Sequence, residues 1–104
     1  MQFSEILVNY KGEELLEREG VKMTLGGACI TALDAFLPTD KDEPLSKKLE
    51  RGRLIGAIFQ SMSTETDFLL TSEEISLIKE RVGKTFTAAS VIRRICQRLD
   101  PAVQ

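Results

Sequence analysis

From Thr24 onward, apolar positions recur at helical spacing. Leu25, Ala28, Cys29, Ala32 and Phe36 share one face at i, i+3, i+4, i+7 and i+11, and Thr24 can cap the helix they define. Gly26 and Gly27 weaken its first turn by about 1 kcal/mol each relative to alanine, unless they serve to admit a neighbouring backbone closely. Pro38 predicts the stop, and TDKDEP reads as a polar loop. A second helix is expected from about Leu45 to Met62. Its apolar stripe is Leu45, Leu49, Gly52, Ile55 or Gly56, and Phe59, widened by Leu54, Ile58 and Met62. STETDFLL then reads as a loop with Phe68 and Leu69 turned inward.

The third helix has the clearest start. Thr71-Ser72-Glu73-Glu74 fits a capping box with Thr71 at N-cap and Glu74 at N3, and Leu70 and Ile75 occupy the positions of a hydrophobic staple. Ile75, Ile78 and Val82 form its buried stripe, and Gly83 is a natural stop. Thr87 can cap a fourth helix ending near Leu99. There Ala88, Val91, Ile92, Ile95, Cys96 and Leu99 face inward, and Arg93, Arg94, Gln97 and Arg98 face out. Before residue 24 the pattern changes to alternation at Ile6, Val8 and Tyr10 and again at Val21 and Met23, around the charged stretch EELLEREG. This favours a β-hairpin over a short helix at 13–19. The expected fold is mainly α, a small bundle of about four helices with a short N-terminal β-hairpin. Residues 1–104 form a single domain, with 1–23 as the hairpin arm and 24–99 as the bundle.

Composition adds exclusions. A chain of 104 residues with 42% hydrophobic and 29% charged positions is neither disordered nor low in complexity. The absence of histidine removes Ser-His-Asp and Cys-His arrangements, His-ligated zinc and the usual general base near neutral pH. Cys29 and Cys96 form no CxxC pair and read as buried, reduced thiols. No metal or cofactor site is expected, and no enzyme. The N-terminus lacks the pattern of a signal peptide and no apolar run is long enough to span a membrane, so a cytoplasmic location is expected. The net charge of −2 argues against whole-molecule attraction to nucleic acid or anionic lipid. Residues 1–43 hold nine acids and four bases, whereas 44–104 hold ten bases and seven acids. Such polarity suits pairing with itself or with another protein.

Two basic clusters are the candidate binding groups. Arg51 and Arg53, near Lys47 and Lys48, could clamp a carboxylate or phosphate. Arg93, Arg94 and Arg98 line the last helix. With GKTFT at the joint, the last two helices invite a helix-turn-helix reading, in which these arginines would meet DNA. Against it, the arginines lie in the second half of that helix, its first half TAASVI is small and apolar, and Lys79 stands where a small packing residue is wanted. Gly26-Gly27 lacks the spacing of a phosphate-binding loop, and Asp40, Asp42 and Glu43 lack that of a calcium loop.

The order NYKGEEL, MTLGGACITALDAFL, KKLERGRLIGAIF and LTSEEISLIKERVGKTF, closed by an apolar-basic helix, resembles a group of small, mostly uncharacterised helical accessory proteins of tailed bacteriophages and prophages. The resemblance runs from Asn9 to Leu99. It implies a bacterial host cytoplasm and a non-enzymatic role during infection, and it assigns no residue a function. The leading expectation is a non-catalytic, oligomeric interaction protein whose Arg51, Arg53, Arg93, Arg94 and Arg98 meet an acidic protein partner of host or phage. The alternatives are a nucleic-acid-binding regulator and an oligomer that sequesters a small nucleotide between subunits.

Overall fold

A computed structural model describes residues 2–99 of the chain. The elements are β1 (Leu16–Arg18), β2 (Val21–Lys22), α1 (Leu25–Asp34), α2 (Leu45–Thr64), α3 (Ser72–Thr85) and α4 (Ala89–Leu99), with a 3-10 turn at Pro38–Asp40. The architecture is mainly α, with a two-stranded antiparallel hairpin near the N-terminus.

The charged stretch within the arm is itself extended. It supplies β1, which turns through Gly20 at φ +76° into β2. An earlier segment bridges to both sides, Ile6 to Thr24 and Val8 to Glu14. Leu7, Leu15 and Met23 thereby close a hydrogen-bonded ring. Leu7 N–H donates to the Met23 carbonyl (2.9 Å), Met23 N–H to Leu15 (2.8 Å) and Leu15 N–H to Leu7 (2.9 Å). Leu7 and Met23 are buried and Leu15 packs against the core, so the ring is anchored from inside.

Helix α1 lies at the centre, its backbone close to α2, α3 and α4. Leu25, Gly26, Ala28, Cys29, Ala32 and Leu33 are buried. A helix this enclosed needs protein partners for its terminal backbone groups. At its start, Leu25 N–H donates to the Glu5 carbonyl (2.8 Å), Gly26 N–H to Phe3 (2.7 Å) and Gly27 N–H to Thr24 Oγ1 (3.0 Å). The close approach at Gly26 comes from side chains: a Cβ there would sit 2.3 Å from Met62 Sδ and 2.9 Å from Phe3 Cβ.

Its other end carries no basic residue in the last turn. Two arginines from later helices do that work. Arg51 of α2 donates to the Leu33 carbonyl, and Arg81 of α3 donates through Nε to Ala32 (2.9 Å) and through Nη2 to Ala35. The helix stops at Asp34, well before Pro38, and the Ala32 carbonyl that the stop leaves without an amide four residues on accepts from Arg81. Ala35 turns extended at ψ 141°. Phe36 therefore leaves the expected buried face and is 79% exposed, while Leu33 fills the core.

The expected stripe of α2 is largely reversed. Leu54, Ile58 and Ser61 are buried, whereas Leu45, Leu49, Gly52, Gly56 and Phe59 are exposed. The backbone of α2 comes close to α1 and to no other helix among the described residues, so α1 covers only a narrow arc. Arg51, reaching for α1, fixes which arc that is. In the following loop Phe68 packs on Phe3 with ring centroids 6.0 Å apart and Leu70 joins the core, but Leu69 points outward.

The capping box of α3 forms as expected: Glu74 N–H donates to Thr71 Oγ1 (3.1 Å) and Thr71 N–H to Glu74 Oε1 (2.9 Å). Gly83 does not end that helix, which continues to Thr85. The Ala88 carbonyl, one residue after the expected cap, accepts the first amides of α4 from Val91 and Ile92. Ile95 and Leu99 complete the core.

Arg81→Met should lower unfolding free energy by about 3–5 kcal/mol in a denaturant titration, because Asp40 is then buried without its cation and two carbonyls lose their donor. Gly26→Ala should cost about 1–3 kcal/mol by the same measurement, since Phe3 Cβ cannot retreat as readily as the Met62 thioether.

Candidate interaction surface

The five candidate arginines divide among three places. Arg51 is turned inward, with its guanidinium on the Leu33 carbonyl and on Glu43 Oε1 at 2.6 Å. Arg53 lies on the exposed side of α2 and pairs with Glu74 at 2.8 Å. That contact and the Thr71 amide hold the Glu74 carboxyl below its ordinary range, the amide contributing more. Arg93, Arg94 and Arg98 come together on α4.

There the extended segment from Glu5 to Tyr10 runs beside the helix. Arg98 grips Glu5 with both ends of its fork, Nε on Oε1 at 2.9 Å and Nη2 on Oε2 at 2.7 Å. Arg94 reaches the Asn9 carbonyl at 3.5 Å and separates two recesses. One, of about 140 Å³, is lined by Glu5, Ile6, Leu7, Val8, Arg94 and Arg98. The other, of about 160 Å³, is lined by Tyr10, Ser90, Arg93, Arg94 and Gln97. Tyr10 is 75% exposed, and Lys11 Nζ stands 5.7 Å from its ring centroid. Arg93 and Lys11 form no ion pair with a described residue. The second recess thus has an exposed aromatic floor and uncompensated positive charge.

The residue that sequence reasoning missed is Arg81. Buried beside α1, it meets Asp40 at 3.0 Å from both Nη1 and Nη2, and Asp40 Oδ2 also accepts the Leu37 amide at 2.9 Å. The arginine and that amide hold the Asp40 carboxyl far below its usual range. The signal was present: Arg81 stands one turn after Ile78, on the flank of the apolar stripe between Ile78 and Leu77, and the acids of the TDKDE loop are its complement. The neighbouring cleft of about 360 Å³, between Leu37, Asp40, Leu77, Arg81 and Lys84, is lined by charges already committed to each other.

Other chemistry finds little support in the geometry. The amides at the start of α1 are occupied, so Gly26-Gly27 offers no donors to a phosphate. Burial, with Cys96 nearby, pushes the Cys29 thiol up to about 12, and burial raises Cys96 as well, so neither is a thiolate at neutral pH. Among the described residues no group of acids and thiols is placed to hold a metal, and no helix is long and apolar enough to cross a membrane.

The buried carboxylate predicts an acid sensitivity. Asp40 has a lower pKa folded than unfolded, so its stabilising contribution is complete above about pH 4 and fades as pH falls below that. Thermal melts from pH 6 downward should show a steeper loss for the parent chain than for Asp40→Asn, which starts less stable but lacks this acid-dependent component. Comparison of the chain with protein families, with curated proteins and with solved structures finds no match.

Proposed function

We propose that this chain is a non-catalytic accessory protein of phage or prophage origin, working in the bacterial cytoplasm, that captures an acidic segment of a protein partner on α4. The observation carrying this reading is the recess of Tyr10, Arg93 and Arg94, where Arg93, and Lys11 beside the Tyr10 ring, form no ion pair with an acid among the described residues. An arginine fork presented beside an aromatic ring suits a carboxylate, which it can hold through two parallel hydrogen bonds. A recess of about 160 Å³ suits one side chain and not a nucleotide. Arg98, locked on Glu5, and Arg94, on the Asn9 carbonyl, act as the frame. The absence of histidine and the raised thiols support a role in binding and not in turnover.

Arg53 stays exposed on a different helix with its charge met by Glu74 at 2.8 Å, whereas Arg51 contributes through the fold by closing α1. The first turn of α4 offers Ala89 and Ser90 to solvent and no cation, so the helix end that would meet base edges is the neutral one.

A tagged chain should retain one protein from infected or prophage-induced cells at low salt and lose it at moderate salt, with nuclease treatment making no difference. Arg93→Glu with Tyr10→Ala should weaken capture about 10-fold or more, without moving the melting temperature, because both side chains are exposed. Recovery of nucleic acid alone, or a variant that captures as well as the parent, overturns the proposal.

A further inference from the structure

The outward face of α2 is apolar for most of its length and stands largely open. Leu45, Leu49 and Phe59 are 70%, 64% and 63% exposed. Between them lie Gly52 and Gly56, where an added Cβ would meet no atom within 4 Å. The positions 45, 49, 52, 56, 59 and 63 alternate steps of four and three, the spacing of a helix seam that packs on another helix. Each exposed glycine weakens a helix relative to alanine, and here no contact within the chain compensates for either one.

We propose that a second copy of this chain covers this face, with the two α2 helices antiparallel and the glycines facing each other. Between Leu49 and Phe59 the seam reads the same from either end: a large side chain, a two-glycine notch, a large side chain. A two-fold axis through its middle sets Gly52 of one copy against Gly56 of the other and Leu49 against Phe59. That is the self-complementarity an isologous dimer requires. The notch lets the helix backbones approach closely there while Leu49 and Phe59 interdigitate on either side.

Charge selects the antiparallel sense. Lys47 and Lys48 are exposed in the first turn of α2 and form no ion pair with a described residue; Glu65 follows its last turn and is likewise unpaired. Antiparallel helices bring Lys48, which flanks the seam beside Leu49, toward the partner's carbonyl end, where the helix dipole favours cations. Parallel helices would set lysines against lysines. Arg53, beside the notch, has its charge compensated by Glu74 at 2.8 Å and so adds no unbalanced repulsion near the axis.

Sedimentation of the parent chain over a concentration series should show two copies that separate on dilution. Gly52→Leu with Gly56→Leu should remain a single copy throughout, yet melt at the same or a higher temperature when dilute, since the new side chains meet open space and the glycines are gone. Leu49→Lys with Phe59→Lys should also stay single. For the register, chains with Cys96→Ser carry either Leu49→Cys or Phe59→Cys. On oxidation the mixed pool should cross-link between the two kinds, and the Leu49→Cys pool alone should not. A parent chain that sediments as one copy at every concentration overturns the proposal, as it would if a different protein covered this face in the cell. Cross-links within the Leu49→Cys pool, or a glycine variant that still pairs, overturn it equally.

Discussion

A helix enclosed on three sides has to find partners for the polar groups at both of its ends, and the rest of this chain is arranged to provide them for α1. The amino-terminal segment contributes the carbonyls of Phe3 and Glu5; later helices contribute the guanidinium groups of Arg51 and Arg81. Each arginine needs an acid in turn, so Glu43 and Asp40 are drawn in beside them. A buried ion pair is rarely a large net source of stability. Its value here is positional: Arg81 binds α3, the Pro38–Asp40 turn and the end of α1 in one geometry that a hydrophobic substitute could not reproduce.

How much of this was legible in the sequence follows from how local each signal is. The capping box at Thr71 and Glu74 and the Thr24 cap involve residues three apart, and both formed where the sequence placed them. The four helices and the hairpin arm were readable for the same reason. Which side of α2 faces inward was not, because that helix carries apolar residues on two opposite sides, and Arg51 decides between them by reaching a carbonyl eighteen residues earlier. Phe36 misled in a similar way: its spacing was correct for α1, but the helix ends at Asp34, and its last carbonyls are met by a side chain forty-nine residues from Ala32.

The candidate surface shows the same division. That α4 has a basic side was plain from its spacing. That Arg98 would be occupied by Glu5, Arg94 half-occupied by Asn9 and Arg93 left open beside Tyr10 depended on where the amino-terminal segment crosses the helix. Pattern alone does not distinguish Arg93, Arg94 and Arg98, and it favours Arg51 and Arg53 over them; geometry separates cations that hold the molecule together from one that remains available. The two outward-facing regions, on α2 and on α4, belong to helices with no close backbone approach to each other among the described residues, so occupancy of one need not exclude the other.

The ring of Leu7, Leu15 and Met23 bears on how this chain avoids unwanted company. Short extended segments ordinarily present a row of unmatched amides and carbonyls, an invitation for a strand from another molecule to add on and start aggregation. Here each of the three segments pairs with both of the others, so at that level the arm has no edge left to offer. A protein with exposed leucines and phenylalanines on its helices can thus confine its stickiness to side-chain surfaces, where fit is selective, and withhold the backbone, where it is not.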